Sequence, residues 1–129
     1  MRLILDSHIL LALSLGRLHQ VSSPIEECLK RPETSAFASV ASLWEIAIKT
    51  RLGKLDPGLP LESLPLFYEA IGIAILPIKA AHALACIEPV PPTRDPFDRM
   101  LLAQCLVEAC RLATLDHALR DHPLAARFA

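Results

Sequence analysis

Four short apolar runs alternate with longer stretches of helical character, and that alternation leaves few folds open. The runs are residues 2–5, 34–39, 73–76 and 112–114. Helical patterns are expected over residues 7–18, 23–31, 41–52, 61–71, 80–87 and 96–110, with a helical turn at 117–120. The breaks carry the right chemistry. Ser23 can cap a helix whose first turn holds Pro24, and Glu26 and Glu27 suit its positive end. Gly53 ends the 41–52 helix, with Lys49, Arg51 and Lys54 near its negative end. Asp56-Pro57-Gly58-Leu59-Pro60 reads as a loop, Pro65 disturbs the next helix, and Gly72 stops it. Strands alternating with helices predict an α/β fold with a parallel sheet covered on both faces.

Carboxylates sit at the junctions of this pattern. Asp6 follows the first strand, and Asp116 follows the run ending at Thr114. Glu45 lies in the first turns of the 41–52 helix, and Asp95 and Asp98 open the 96–110 helix. In a parallel α/β fold the ends of separate strands converge on one crevice. Acids gathered there repel one another unless protons or a cation neutralise them. Oxygen-only ligation suits a hard cation such as Mg²⁺ or Mn²⁺, so the pattern predicts a metal-dependent hydrolase of phosphodiesters. Each acid also has an ordinary reading. Ser42-x-x-Glu45 matches a capping box, and Glu45 precedes Lys49 by the four residues of a helix-surface pair. Asp95 before Pro96 matches an N-cap, and Asp116 can cap a last helical turn. Asp6, at the carboxyl edge of a strand, is the hardest to explain by capping alone.

At 129 residues the chain is expected to be one domain, residues 1–129, with a single core. The apolar fraction of 53% is more than so small a monomer readily hides, which suggests a surface covered by a partner. A net charge of −1 gives no global basic field, so a nucleic acid must be held locally. The four cysteines, Cys28, Cys86, Cys105 and Cys110, show neither zinc spacing nor a C-x-x-C motif, and are expected to be reduced in a cytoplasmic protein. The apolar stretch before Gly16 is interrupted by Asp6 and His8 and is too short to span a bilayer, so a strand and helix are expected there rather than a leader. No membrane association is expected.

The ordered segments Leu3-Ile4-Leu5-Asp6-Ser7-His8, Ser39-Val40-Ala41-Ser42-Leu43-Trp44-Glu45-Ile46-Ala47-Ile48-Lys49, Arg94-Asp95-Pro96-Phe97-Asp98-Arg99-Met100-Leu101-Leu102-Ala103-Gln104 and Thr114-Leu115-Asp116 resemble the PIN-domain ribonucleases. The resemblance is to the VapC-type toxins of bacterial toxin–antitoxin pairs, and it covers nearly the whole chain. It implies a three-layer α/β/α sandwich with a central parallel sheet of four to five strands, and a Mg²⁺- or Mn²⁺-dependent endoribonuclease. It also implies a cognate antitoxin and a homodimer. Asp6, Glu45, Asp98 and Asp116 match the family's catalytic, metal-holding acids, and Thr114 the hydroxyl that accompanies the last of them. Asp95 is a further acid, and either it or Asp98 takes the third role, with the spacing to Thr114-x-Asp116 favouring Asp98. The family's usual Asp-Thr-His opening is Asp-Ser-His here, and the final strand of many members is not evident after Asp121.

Arg94 and Arg99 are candidates for holding an RNA phosphate, or alternatively for pairing with Asp95 and Asp98. Trp44 can stack on a base, though its apolar neighbours favour a core or interface position. His8 is expected on a helix surface, and His82, His117 and His122 lack ligand spacing. The helices over 7–18 and 41–52 offer apolar faces to an amphipathic antitoxin helix, whose Arg or Lys can neutralise the acids as a metal does. A phospho-accepting receiver needs an Asp after its third strand, where Leu76-Pro77-Ile78 stands. A haloacid-dehalogenase-type phosphatase needs an Asp where His8 stands. A catalytically silent PIN-like binding module is the remaining rival, but none of the acids is missing.

Overall fold

The computed structural model describes residues 1–128. β1 (Arg2–Leu5), β2 (Ser35–Ser39), β3 (Ile73–Leu76) and β4 (Arg111–Ala113) form one sheet in the order β3-β2-β1-β4, and every pairing is parallel. The helices are α1 (Ser7–Ser14), α2 (Leu18–Val21), α3 (Ser23–Lys30), α4 (Val40–Arg51), α5 (Leu64–Ala70), α6 (Ala80–Leu84) and α7 (Pro96–Glu108).

Alternate residues of β1 face opposite layers, as the pleat of a strand dictates. Leu3 and Leu5 join Ile9 and Leu10 of α1, Ile25 of α3, and Leu64 and Tyr68 of α5 on one side. Ile4 and Leu112 join Leu101, Leu102 and Cys105 of α7 on the other. The result is the expected three-layer sandwich. Each fully buried Leu or Ile contributes about 1.5–3 kcal/mol of transfer free energy, so the central strand is the main anchor of both layers. Tyr68 is also buried, and its hydroxyl donates to the Leu10 carbonyl at 2.8 Å, pinning α5 to α1.

Several expectations change in detail. The helix expected over 7–18 stops at Ser14, and a separate short helix, α2, begins at Leu18. Gly16 takes φ +68°, its N–H reaches Leu13 O, and Arg17 N–H reaches Ala12 O at 2.7 Å, a Schellman ending. Gly53 ends α4 in the same way, as its position predicts. Ser22, not Ser23, caps α3, its Oγ accepting from Ile25 N at 3.3 Å. The helix expected over 80–87 stops at Leu84. Residues 117–121 form turns rather than a helix. The missing final strand is replaced by a single parallel bridge between Leu112 and Ala125. Leu112 N–H donates to Leu124 O, and Ala126 N–H to Leu112 O, both at 2.8 Å.

His82, without ligand spacing in the sequence, is a buried structural residue. Its Nδ1 accepts from Lys79 N–H at 2.9 Å, so Nε2 carries the proton that meets Glu108 Oε2 at 2.7 Å. This ties α6 to the end of α7. All four cysteines are free, with Cys86 exposed and the others buried. Burial pushes the Cys105 thiol well above its ordinary range, which makes it unreactive. Among the described residues, no helix is long and apolar enough to cross a membrane.

α7 ends at Ala109, a non-glycine residue with φ +55°, where Cys110 N–H closes on Cys105 O at 3.0 Å. An L side chain in this region is strained, and glycine is the preferred residue. Ala109→Gly is therefore expected to raise stability by about 0.5–1 kcal/mol in urea unfolding. A loss of stability would show that Ala109 makes contacts worth more than the strain.

Candidate functional site

The register of the sheet assembles the site. Leu5 stands opposite Ala113, so Asp6 and Thr114 leave β1 and β4 side by side. Asp6 N–H donates to Ala113 O at 3.1 Å, which fixes the exit of β1. Asp6 then becomes the N-cap of α1, its Oδ1 accepting from Ile9 N–H at 3.0 Å. Its carboxyl is buried, at 4% exposure, and burial raises its pKa against the opposing effect of the Thr114 hydroxyl. Two residues beyond Thr114, Asp116 is exposed and caps a turn through Ala118 N–H at 2.8 Å. Thr114 Oγ1 accepts from Asp116 N–H at 3.1 Å, linking the two acids through one hydroxyl.

The N-terminus of α7 supplies two more acids. Asp95 is the N-cap, accepting from Phe97 N–H at 2.8 Å, and Pro96 occupies the first turn as the sequence predicts. Asp98, one turn further, accepts from Thr93 Oγ1 at 3.3 Å. Thr93 also takes the Asp95 N–H and gives its carbonyl to Arg99 Nε at 2.8 Å. Arg99 thus braces the loop, and Arg94 is exposed. Among the described residues neither arginine forms the ion pair with Asp95 or Asp98 that the sequence left open.

Glu45 comes from α4 and is buried at 7% exposure. The capping-box reading fails, because Ser39 caps α4 through Ala41 N–H at 3.0 Å. Ser42 lies inside the helix, its Oγ buried without a partner. Glu45 instead reaches two side chains. Ser7 Oγ donates to Oε1 at 2.5 Å, and Lys49 Nζ donates to Oε2 at 2.6 Å. Ser7 escapes sequence reasoning because its partner, 38 residues away, is set by the folded layers, whereas Thr93 bonds locally to Asp95 and Asp98, and its signal is a hydroxyl two residues before an N-cap. Trp44 is 60% exposed rather than core, and meets Phe97 edge-to-face with centroids 5.6 Å apart. That pair joins α4 to α7 beside Glu45 and Asp98.

The acids share one field. Asp98 is pushed up to about 6 by burial first, then by Asp95, Asp116 and Glu45, with Thr93 opposing. Asp6 and Asp116, with His8, also line one cleft of about 330 Å³. Among the described residues, no three His, Cys, Asp or Glu side chains stand close enough to form a ready-made metal centre. What the arrangement does have is an all-oxygen donor set whose negative charge Lys49 offsets only in part, which is the chemistry of a hard-cation site.

This frustration has a measurable sign. A carboxyl raised in the folded chain takes its proton at higher pH there than in the unfolded chain. Metal-free stability therefore falls as pH rises from the ordinary Asp value of 3.8 to about 6, and levels off above. Asp98→Asn removes the effect. In EDTA the variant is expected to melt about 2 °C or more above the parent near pH 7, with the gap closing near pH 4. Equal melting at both pH values would show that Asp98 feels no such repulsion.

Comparison with known proteins agrees with this fold. A solved structure of similar fold is the VapBC2 complex from Rickettsia felis bound to a DNA fragment from its promoter. It superposes with a TM-score of 0.62 at 13% identity, covering 100% of both chains. No curated protein matches the sequence. The family model described as the PIN domain matches residues 3–123, and the chain belongs to the PIN-domain family.

Proposed function

We propose that this chain is a divalent-metal-dependent endoribonuclease and the toxin of a toxin–antitoxin pair. The observation that carries the reading is that four acids share one field: Asp98 is lifted to about 6 by burial first, and further by the charges of Asp95, Asp116 and Glu45. A purely structural set of caps has no need of such repulsion. Asp6, Asp98 and Asp116 each spend one oxygen on a hydrogen bond within their own stretch of chain, which orients them without neutralising them. These three would hold Mg²⁺ or Mn²⁺, with Glu45 completing the acidic quartet beside them. The bound ion would supply an acidified water and a counter-charge for the scissile phosphate.

The other residues position and recognise. Thr114 steadies Asp6 and Asp116, and Asp95 fixes the start of α7 beneath Asp98. Arg94, exposed beside the acids, offers a guanidinium to an RNA phosphate. Arg99 Nε is spent on Thr93, so its contribution to RNA is through its terminal nitrogens. The purified chain is expected to cut structured RNA with Mg²⁺ or Mn²⁺ and to stop with EDTA. Asp6→Asn should lower the rate by at least about 100-fold while the fold persists by circular dichroism. Cleavage that survives EDTA would sink the mechanism, and an inactive parent would favour the silent binding module. Retained cutting by Asp98→Asn, with loss in Asp95→Asn, would transfer the third role to Asp95.

The partner reading draws on the VapBC complex of similar fold and on the apolar surface. α1 commits Ile9 and Leu10 to the core, so less of its apolar face is open than the sequence suggests. The open surface lies on α4, where Val40, Leu43, Trp44 and Ala47 line a groove of about 440 Å³ with Leu61 and Leu64. An amphipathic antitoxin helix would seat there. A charged substitution at Trp44, such as Trp44→Glu, is expected to weaken inhibition by the neighbouring gene product. Inhibition as strong as the parent's would remove this groove from the interface.

A further inference from the structure

The one cation hydrogen-bonded inside the acidic cluster, among the described residues, belongs to the chain itself. Lys49 stands one helical turn after Glu45, its Nζ 2.6 Å from Glu45 Oε2. The other oxygen of Glu45 accepts from Ser7 at 2.5 Å. Each Glu45 oxygen keeps a second lone pair, but a metal ion bound there would lie close to the Lys49 ammonium, a like charge that opposes it. The pair is anchored at its acidic end. The Glu45 side chain is 9% exposed and that of Lys49 41%. Asp95 and Asp98 add to the attraction, so the ammonium faces three acids rather than one. An ordinary surface pair at this spacing has a solvated acid and no such surroundings.

We propose that Lys49 is a positioning residue: it neutralises Glu45, keeps it out of the metal's ligand set, and thereby leaves Asp6, Asp98 and Asp116 to hold the ion. The inference rests on the metal-dependent reading above and refines it. Five acids, Asp6, Glu45, Asp95, Asp98 and Asp116, share the field, and Lys49 removes one charge from their sum. Its presence sets how tightly a divalent ion is held. Deleting it frees a buried carboxylate next to the others and restores the full charge.

The test reads metal affinity without RNA. Mn²⁺ binding to the full chain is measured by electron paramagnetic resonance of the free ion at fixed ionic strength. Lys49→Met keeps the aliphatic stem, removes the charge, and is expected to bind Mn²⁺ about tenfold tighter than the parent. Lys49→Gln, which keeps a donor toward Glu45, should move the same way and serves if the methionine variant fails to fold. Lys49→Arg should bind as the parent does. The double variant Lys49→Met with Glu45→Gln removes the pair at no net charge, and should return to within about threefold of the parent. Two results overturn the inference: neutral Lys49 variants that bind no tighter than the parent, or a double variant that binds far more weakly, which would make Glu45 a ligand. A parent that binds no Mn²⁺ overturns the metal-dependent reading, and the inference falls with it. A parent that binds, with Lys49 variants unchanged, overturns the inference alone.

Discussion

The parallel pairing of β1 with both β2 and β4 is the constraint on which the acidic edge depends. Because every strand points the same way, Asp6, Ser39 and Thr114 all leave the sheet on one side. The chain must then turn at once into a helix or a tight turn, and the first N–H groups of those elements need acceptors. Asp6, Ser39 and Asp116 supply them, and Asp95 does the same for α7, which follows a connector rather than a strand. Each carboxylate therefore has two relations at once: attraction to local N–H groups and repulsion from its fellows. A side-chain cap stabilises by about 0.5–2 kcal/mol, enough to keep a negative charge where its neighbours oppose it. The capping and functional readings of these acids are not alternatives, since the caps are what hold the charges together.

Glu45 solves the same problem differently. It sits in the second turn of α4, past the N–H groups a cap can use, so it recruits Ser7 from α1 and Lys49 from its own helix. α4 is thereby tied to α1 across the edge of the sheet, while the Trp44–Phe97 contact ties it to α7. Three helices thus meet around the acids through one hydrogen bond and one aromatic contact, while the Glu45–Lys49 ion pair stays within α4. Their mutual placement is set close to the acids rather than only by the distant core.

Much of this was legible in the residues. The strand–helix order followed from where apolar runs met breakers such as Gly53, Gly72 and Pro96, and the acids were named because they stood at those junctions. The errors have local physical causes. The apolar run through Leu15 gave no sign that Gly16 would turn left-handed and divide a helix. Ser42 mimicked a cap because its spacing to Glu45 was right, yet Ser39 had already filled that role. The bond between His82 and Glu108, 26 residues apart, could not be inferred from spacing, because only the stacking of α6 on α7 creates it. Thr93 is the opposite case: its hydroxyl meets Asp95 and Asp98, two and five residues on, a local turn that carries no periodic signal but could be found as a hydroxyl just before a helix cap.

The return of the chain past Leu112 gives the sheet unequal margins. On the β4 side, Leu124 and Ala126 occupy the backbone groups of Leu112 that face outward, and Arg111 adds a 2.5 Å bond to the Pro123 carbonyl. That margin is sealed by the chain's own tail. On the other side, β3 has no strand beyond it among the described residues. A bare edge invites pairing with a foreign strand, the first step toward sheet-to-sheet aggregation. Here it runs for only four residues and is followed at once by Pro77, which has no N–H to donate. Intruding strands thus find one side closed and the other too brief to grip, which protects a chain with so much apolar surface.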